Sequence, residues 1–565
     1  MQGFDPIQLE VYWNRMTSIA EEQARTLIRA SFSTLVGEME DLATGVYDQE
    51  GSIIAQGVTG TIGVLTGMTM GMKHFLKKFP PHTLEPGDVL ISNNPWLFSG
   101  HKFDVTLATP VFYRGRLAGL TASILHAADI GGRGWTADTR EVYEEGLEIP
   151  ITRFIKAGEP NQELLDIIEA NVRFPKMVIG DFMAQVAANQ VGASKLAEFM
   201  EEQGLESLMP LSRAINARTE EAMRRAIGEL PDGEYSHEVF MDGYDEPLRI
   251  AVTLRIQGED LEVDYAGTSP QIEHGINGVW NFTLAFTAFA LKSALVPDLP
   301  NNEGILRPIR LAIPEGCFLN TKRPAPVAAR HITVSFVTAA VYGALAKAVP
   351  GRVPADSGHI AMTSLTGRNQ RGQPFTYAFN HSGGMGARPG IDGYSATSYP
   401  ANLACVPVEI IENVSPVFVL SKELIPDSGG PGRFRGGCDQ RVRIRIRSET
   451  PATLLSMYER TRFPAGGLHG GQDGRTAQII VRRGGDEYRP QPKERCYLQP
   501  GDILHVSQGG GGGCYPPEER DPELVLQDVV DGFVTVERAE RDYRVAIGGS
   551  PLAIDWARTR ELRAT

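Results

Sequence analysis

Val111-Phe112-Tyr113-Arg114-Gly115-Arg116-Leu117-Ala118-Gly119-Leu120-Thr121-Ala122-Ser123-Ile124-Leu125-His126 is two apolar runs around a short basic turn. Val111–Tyr113 and Leu117–Ile124 predict the strands of a hairpin turning at Arg114-Gly115-Arg116. The second strand delivers His126 to a strand end. Upstream, Glu85-Pro86-Gly87-Asp88 is a turn before the strand Val89-Leu90-Ile91. A polar loop, Ser92-Asn93-Asn94-Pro95, follows, and then the step His101-Lys102-Phe103-Asp104. Val46 to Ile54 predicts another hairpin, turning near Gly51. Ahead of these strands, Asp5-Pro6 reads as an N-cap with proline at the first helical position. Leu9, Tyr12, Met16, Ile19, Ala20, Leu27, Ile28 and Leu35 recur at helical spacing, which predicts one long helix with a buried face.

Downstream, Asn161 to Leu230 is rich in Glu, Ala and Leu and predicts helices. After Pro231-Asp232-Gly233 the period changes, and Ser236–Phe240, Leu248–Ile256 and Leu261–Tyr265 predict strands. Helices return over Asn281–Leu295 and Thr333–Ala348. Beyond Pro350 the chain is strand-rich and glycine-rich, with clusters at 429–437, 466–471 and 509–513. The pattern predicts a mixed α+β, multi-domain chain. Its regions are a helical N-terminal part at 1–230 with the candidate metal site, a mixed middle at 231–350, and a β-rich part at 351–565. Glycine, at 61 residues, lies scattered between apolar runs and suggests many tight turns.

The chain has 565 residues, enough for a sizeable core. A net charge of -14 argues against nucleic acid and anionic membranes, which need concentrated positive surface. The nearly apolar run Val334–Ala346 is too short to span a bilayer and predicts a buried helix. No basic start followed by an apolar stretch is present, so no signal peptide is expected. Five cysteines, at 317, 405, 438, 496 and 514, form no Cys-x-x-Cys pair; small buried thiols in a reducing cytoplasm are expected.

Chemistry concentrates in the first region. Two imidazoles, His101 and His126, with the carboxylates Asp104 and Asp41, make a mixed N/O set. Such a set suits Zn²⁺, Mn²⁺ or Fe²⁺ and leaves a position open. A metal there would lower the pKa of bound water and polarise a carbonyl. On spacing alone His-x-x-Asp occurs by chance, and a strand-end histidine is more often a satisfied core residue. Asp129, before Ile130-Gly131-Gly132, is a candidate base or orienting group, or simply a turn cap. The run Gly509–Gly513 could cradle a phosphate with its amides, or be a turn or flexible loop. No Gly-x-x-x-x-Gly-Lys-Ser/Thr, no strand-to-helix Gly-x-Gly-x-x-Gly and no Gly-x-Ser-x-Gly occurs.

Taken in order, these landmarks resemble the hydantoinase B family. It includes B-type subunits of ATP-dependent hydantoinases and lactamases, the C-terminal part of 5-oxoprolinase, and subunits of acetone and acetophenone carboxylases. The resemblance is carried by Asp5-Pro6 with Leu9-Glu10-Val11, by Ser92–Pro95 with Gly100-His101 and Asp104-Val105, by His126 with Asp129–Gly132, and by Glu145–Pro150. It continues at Asp264–Pro270, Pro300–Asn302, Asp427–Gly432 with Arg435–Gly437, Arg460–Pro464 and Glu519–Pro522. It implies His101, Asp104 and His126 as metal ligands and Asp41 as a fourth. Two departures stand out. Val58–Gly63 holds no histidine where many relatives carry them, and Ala127 follows His126 where many show a second histidine.

The resemblance further implies a cytoplasmic hydrolase of cyclic amide C–N bonds, working with a hydantoinase A-type subunit in an A2B2 heterotetramer or larger. The partner uses ATP to phosphorylate the amide oxygen of a hydantoin, 5-oxoproline or larger lactam, and the expected metal site then delivers water to the activated carbon. His126 and Asp129 are its expected catalytic groups. Two alternatives stay open: a subunit of a biotin-independent ketone carboxylase, and a non-catalytic component that scaffolds the A-type partner.

Overall fold

The computed structural model describes residues 4–61 and 65–564, in two compact units. One comprises 1–235, 252–337 and 403–405; the other comprises 236–251, 338–402 and 406–565. The strands Gly233–Met241 and Leu248–Gln257 carry the chain from one unit to the other and back, and the helix Val337–Ala348 carries it across again. The middle region of the sequence is therefore divided between the two units.

The first unit is built on a seven-stranded antiparallel sheet. Its strands are β1 (Leu42–Asp48), β2 (Ile53–Gln56), β3 (Val89–Ser92), β4 (Asp104–Tyr113), β5 (Arg116–His126), β6 (Thr152–Lys156) and β7 (Glu159–Pro160), in the order β2-β1-β5-β4-β3-β6-β7. The central hairpin is the one the sequence predicts. Arg114 and Gly115 both take positive φ, 48° and 75°, the mirror-image turn that matches strand twist. Successive side chains alternate across this sheet. Val105, Leu107 and Leu125 join a core with Ala24, Leu27 and Phe182; Ala108, Leu120, Ala122 and Ile124 join another with Met68, Met72 and Phe75. Both faces are thus covered by helices: Pro6–Ala30 and Pro175–Glu202 contribute to one core, Leu65–Lys78 to the other.

The opening helix ends at Ala30, so Leu35 belongs to a separate turn of helix, Thr34–Gly37. The Asp5 side chain makes no capping hydrogen bond, although it occupies the N-cap. The predicted helix at Thr333–Ala348 is two, His331–Val334 and Val337–Ala348. Among the described residues, His331–Ala348 is the one stretch apolar and long enough to cross a membrane, and it is 83% buried. A core helix accounts for that pattern.

The second unit carries a four-stranded and a five-stranded sheet, which include Ile360–Arg368 paired with Pro374–Ser382, and Gln440–Ile446 paired with Ile503–Ser507. Between strands run buried glycine segments without strand pairing. Gly509–Gly513 is buried throughout. A Cβ on Gly510 would stand 1.7 Å from the Ser428 carbonyl oxygen; on Gly511, 2.1 Å from that of Met385; on Gly512, 2.1 Å from that of Gly466; on Gly513, 2.1 Å from that of Pro431. Here backbone packs directly on backbone. Neither a flexible loop nor a phosphate cradle describes the run, because its amides are already committed. Gly510, Gly511, Gly512 and Gly513 donate to the carbonyls of Arg475, Gly437, Asp356 and Gln472 at 2.8–3.0 Å.

Candidate metal centre

Strand register assembles the site. Asp104 opens β4 and His126 closes β5, and the two are directly opposite in the ladder. β1 pairs with the other side of β5, Leu42 opposite Leu125. Asp41, just before β1, therefore lies beside His126, whose N–H donates to the Asp41 carbonyl at 3.2 Å. His101 arrives from the loop before β4. Asn93 pins that loop by donating to the Lys102 carbonyl at 2.7 Å and to that of Leu147 at 3.0 Å.

His101, Asp104 and His126 are buried and their ligand-capable atoms all lie within 4.8 Å of one another. His101 Nε2 stands 2.9 Å from Asp104 Oδ1. His126 Nδ1 stands 3.5 Å from the same oxygen and 3.8 Å from Asp41 Oδ2. The Asp104 oxygen is thus shared between two imidazoles. Its other oxygen accepts from the Arg330 guanidinium. Arg330 also donates to the Ser99 carbonyl at 2.6 Å and lies 3.7 Å over the Phe282 ring.

The tautomer of His101 follows from its second neighbour. Nδ1 is 2.9 Å from the Ala328 carbonyl, which only accepts, so Nδ1 carries the proton and Nε2 carries a lone pair. Burial, reinforced by Arg330, lowers the His101 pKa to about 4, so the ring is neutral near pH 7. Burial alone would raise Asp104, but the Arg330 guanidinium on its other oxygen holds it well below the usual carboxylate range. A lone pair therefore faces an ionised oxygen at 2.9 Å. Two acceptors that close repel unless a cation lies between them, and the set has the N/O donors that could hold one. Asp41 is raised to about 6, chiefly by burial. A positive charge placed there would draw it back towards ionisation.

Residues distant in sequence complete the site; Glu145 opens one of the family landmarks, whereas no local pattern marks Trp135. Glu145 accepts from the amides of Val327 at 2.5 Å and Ala328 at 2.8 Å, and from Thr139 Oγ1 at 3.1 Å. It thereby fixes the carbonyl that orients His101. Trp135 Nε1 donates to that same carbonyl at 3.0 Å. The indole packs on His126 at 4.1 Å, and Phe103 stacks on His126 at 5.4 Å.

Asp129 is not brought into the cluster. One oxygen accepts from the Gly131 amide at 3.0 Å and from Arg173 Nη1 at 2.8 Å; the other accepts from the Arg173 amide. It closes the turn that follows β5, the simpler of its two readings. Of the histidine-free stretch Val58–Gly63, Ile62 and Gly63 lie outside the described residues.

A family model described as hydantoinase B/oxoprolinase matches residues 5–517. The chain belongs to this family. A protein of Pseudomonas sp. strain NS671, named for the B component of a D-/L-hydantoinase, is 32% identical, covering 100% of this chain and 98% of that one. The beta chain of the Pseudomonas jessenii caprolactamase is 28% identical over the whole of both. 5-Oxoprolinase 1 of Arabidopsis thaliana is 28% identical; the match takes in 90% of this chain and 42% of that longer one. The crystal structure of the ATP-dependent caprolactamase from Pseudomonas jessenii superposes with a TM-score of 0.91 at 26% identity, covering both chains fully. An acetone carboxylase structure shares the fold, with a TM-score of 0.90 at 18% identity over 99% of this chain and 82% of that one. Within this family member the Glu145–Pro150 landmark has a physical meaning: Glu145 holds the segment against which His101 is oriented.

Proposed function

We propose that this chain is the B-type component of an ATP-dependent cyclic amidase, a hydrolase that opens a ring amide after a hydantoinase A-type partner has phosphorylated its oxygen. We place it in an A2B2 or larger assembly. The observation that carries the reading is the pair His101 Nε2 and Asp104 Oδ1, two acceptors 2.9 Å apart in a buried site. Relatives named for hydantoin, caprolactam and oxoproline hydrolysis supply the substrate class.

In this reading His101, Asp104, His126 and Asp41 hold a divalent cation, Zn²⁺ or Mn²⁺, or Fe²⁺. When bound, it supplies Lewis acidity and makes a nearby water a stronger acid. The chain's own residues do the rest. Ala328 fixes the tautomer of His101. Arg330 holds the Asp104 carboxylate ionised and fixed. Phe103 and Trp135 restrict bulk water around His126. An unstrained amide resists water because resonance stabilises it. Phosphorylation in the partner removes that protection, so this chain's task is to position the activated ring and a water. The absence of a nucleotide-binding motif from the sequence supports ATP being used by the partner. Five free thiols support a reducing, cytoplasmic setting.

The test is co-expression with the A-type partner, metal analysis, and ATP turnover against cyclic amides and ketones with and without bicarbonate. We expect about one divalent metal per copy of this chain, turnover driven by a cyclic amide without bicarbonate, and loss of both metal and turnover in His101→Ala with assembly preserved. Turnover that demands a ketone and bicarbonate would assign the chain to the carboxylases. Full activity in His101→Ala would remove the metal role.

A further inference from the structure

The residue after Arg330 has polar capacity that the proposed ligand set leaves unused. His331 begins the short helix His331–Val334. Its ring packs on Trp135 at 4.9 Å between centroids, and that indole meets His126 at 4.1 Å. His331 therefore lies one indole away from the cluster. Both of its ring nitrogens are buried, and neither has a hydrogen-bond partner among the described residues. Trp135 cannot supply one, because its single N–H is directed at the Ala328 carbonyl. Burial and the adjacent Arg330 keep the ring neutral, so it offers one donor and one acceptor. A buried histidine that serves packing alone has its nitrogens satisfied by the protein, since leaving them unpaired is costly. His331 departs from that rule one indole away from the candidate metal cluster.

We infer that His331 is a specificity-determining residue, which hydrogen-bonds a second carbonyl or N–H of the substrate ring beyond the scissile amide. The inference rests on the cyclic-amidase reading and narrows its substrate class. A ring with a second polar group satisfies the imidazole. A plain lactam leaves it unpaired against an apolar methylene, and a site built for a hydrogen bond discriminates strongly against a ligand that lacks it.

The experiment uses the assembled complex with the A-type partner. It measures substrate-driven ATP turnover on a two-carbonyl hydantoin-type ring and on a plain lactam of equal ring size. Wild type, His331→Phe and His331→Gln are compared, with metal content determined for each. Phe keeps a ring against Trp135 and removes the hydrogen bonds; Gln restores a donor and an acceptor. His331→Leu serves if the phenyl ring disrupts assembly. We expect wild type to favour the two-carbonyl ring and His331→Phe to reduce that kcat/KM preference about ten- to a hundredfold, through KM more than kcat. Metal content should hold, and His331→Gln should recover part of the preference. An equal loss on both rings, or a loss that tracks metal content, overturns the inference and leaves His331 a packing residue. A wild-type preference for the plain lactam overturns it while the amidase reading stands. If neither ring drives turnover, the amidase reading itself fails and takes this inference with it.

Discussion

In the sheet of the first unit, alternate side chains fill the space on either face, and function follows from register: one ladder puts Asp104 opposite His126. In the glycine-packed part of the second unit no side chain fills the space, because carbonyl oxygens stand where Cβ atoms would be. The first kind of core tolerates exchange of similar volumes, since side chains can repack. The second cannot repack, since its contacts are between backbones fixed by their own hydrogen bonds. Glycine therefore means two different things in this chain. At Gly115 it supplies a turn with open space around it; at Gly510 it supplies closeness.

The largest effect that would break this comparison is at Gly510. Gly510→Ala should cost more than about 4 kcal/mol or prevent folding, as overpacking against fixed backbone does. Gly115→Ala meets nothing within 4 Å and should cost only about 1 kcal/mol, from its positive φ. Thermal or denaturant unfolding of both variants decides; similar losses would dissolve the distinction.

Next comes Asp439, which lies among the same packed segments. Its side chain accepts from the Gln508 amide at 2.9 Å, and its second oxygen has no partner among the described residues. Burial raises its pKa from 3.8 to about 6. The folded state thus holds the proton more tightly than the unfolded one. This contribution to stability is complete below pH 3.8 and is lost as pH rises through 6, a swing of about 3 kcal/mol. Asp439→Asn should flatten that part of the stability–pH curve and be the more stable protein at pH 7. An unchanged slope between about pH 4 and 7 would show that the carboxyl stays hydrated.

The smallest effect sharpens the other side of the comparison. Arg330→Met should leave the sheet folded and weaken metal affinity about ten- to a hundredfold, as loss of a group supporting a ligand does. A titration of metal into the stripped complex reads it. Unchanged affinity would mean that register alone positions Asp104.

How much was legible can be seen at single residues. His101, Asp104 and His126 were marked by order and motif, and the hairpin that delivers His126 was marked by its two apolar runs and the Arg-Gly-Arg turn between them. Arg330, Trp135 and His331 were not, since each lies in an unremarkable local sequence and acquires its role only across a fold; Glu145 opened a family landmark, but its hold on the Val327 and Ala328 amides is made only across the fold. Asp129 carried the motif of a site residue, yet Arg173, 44 positions later, takes it for a turn. The glycine run 509–513 looked like loop because local sequence reports conformational freedom, and what consumes that freedom here is the approach of other segments.

The sequence by itself determined the family, the α+β class, the strands around the site and three donors of the candidate metal set. These are local periodicities and ordered motifs, written in neighbouring residues. Only the tertiary structure decided that two acceptors meet at 2.9 Å, that Ala328 chooses the His101 tautomer, that an arginine fixes the shared carboxylate, and that glycines form a core. Those depend on distances between residues far apart along the chain, and chain order alone does not specify them.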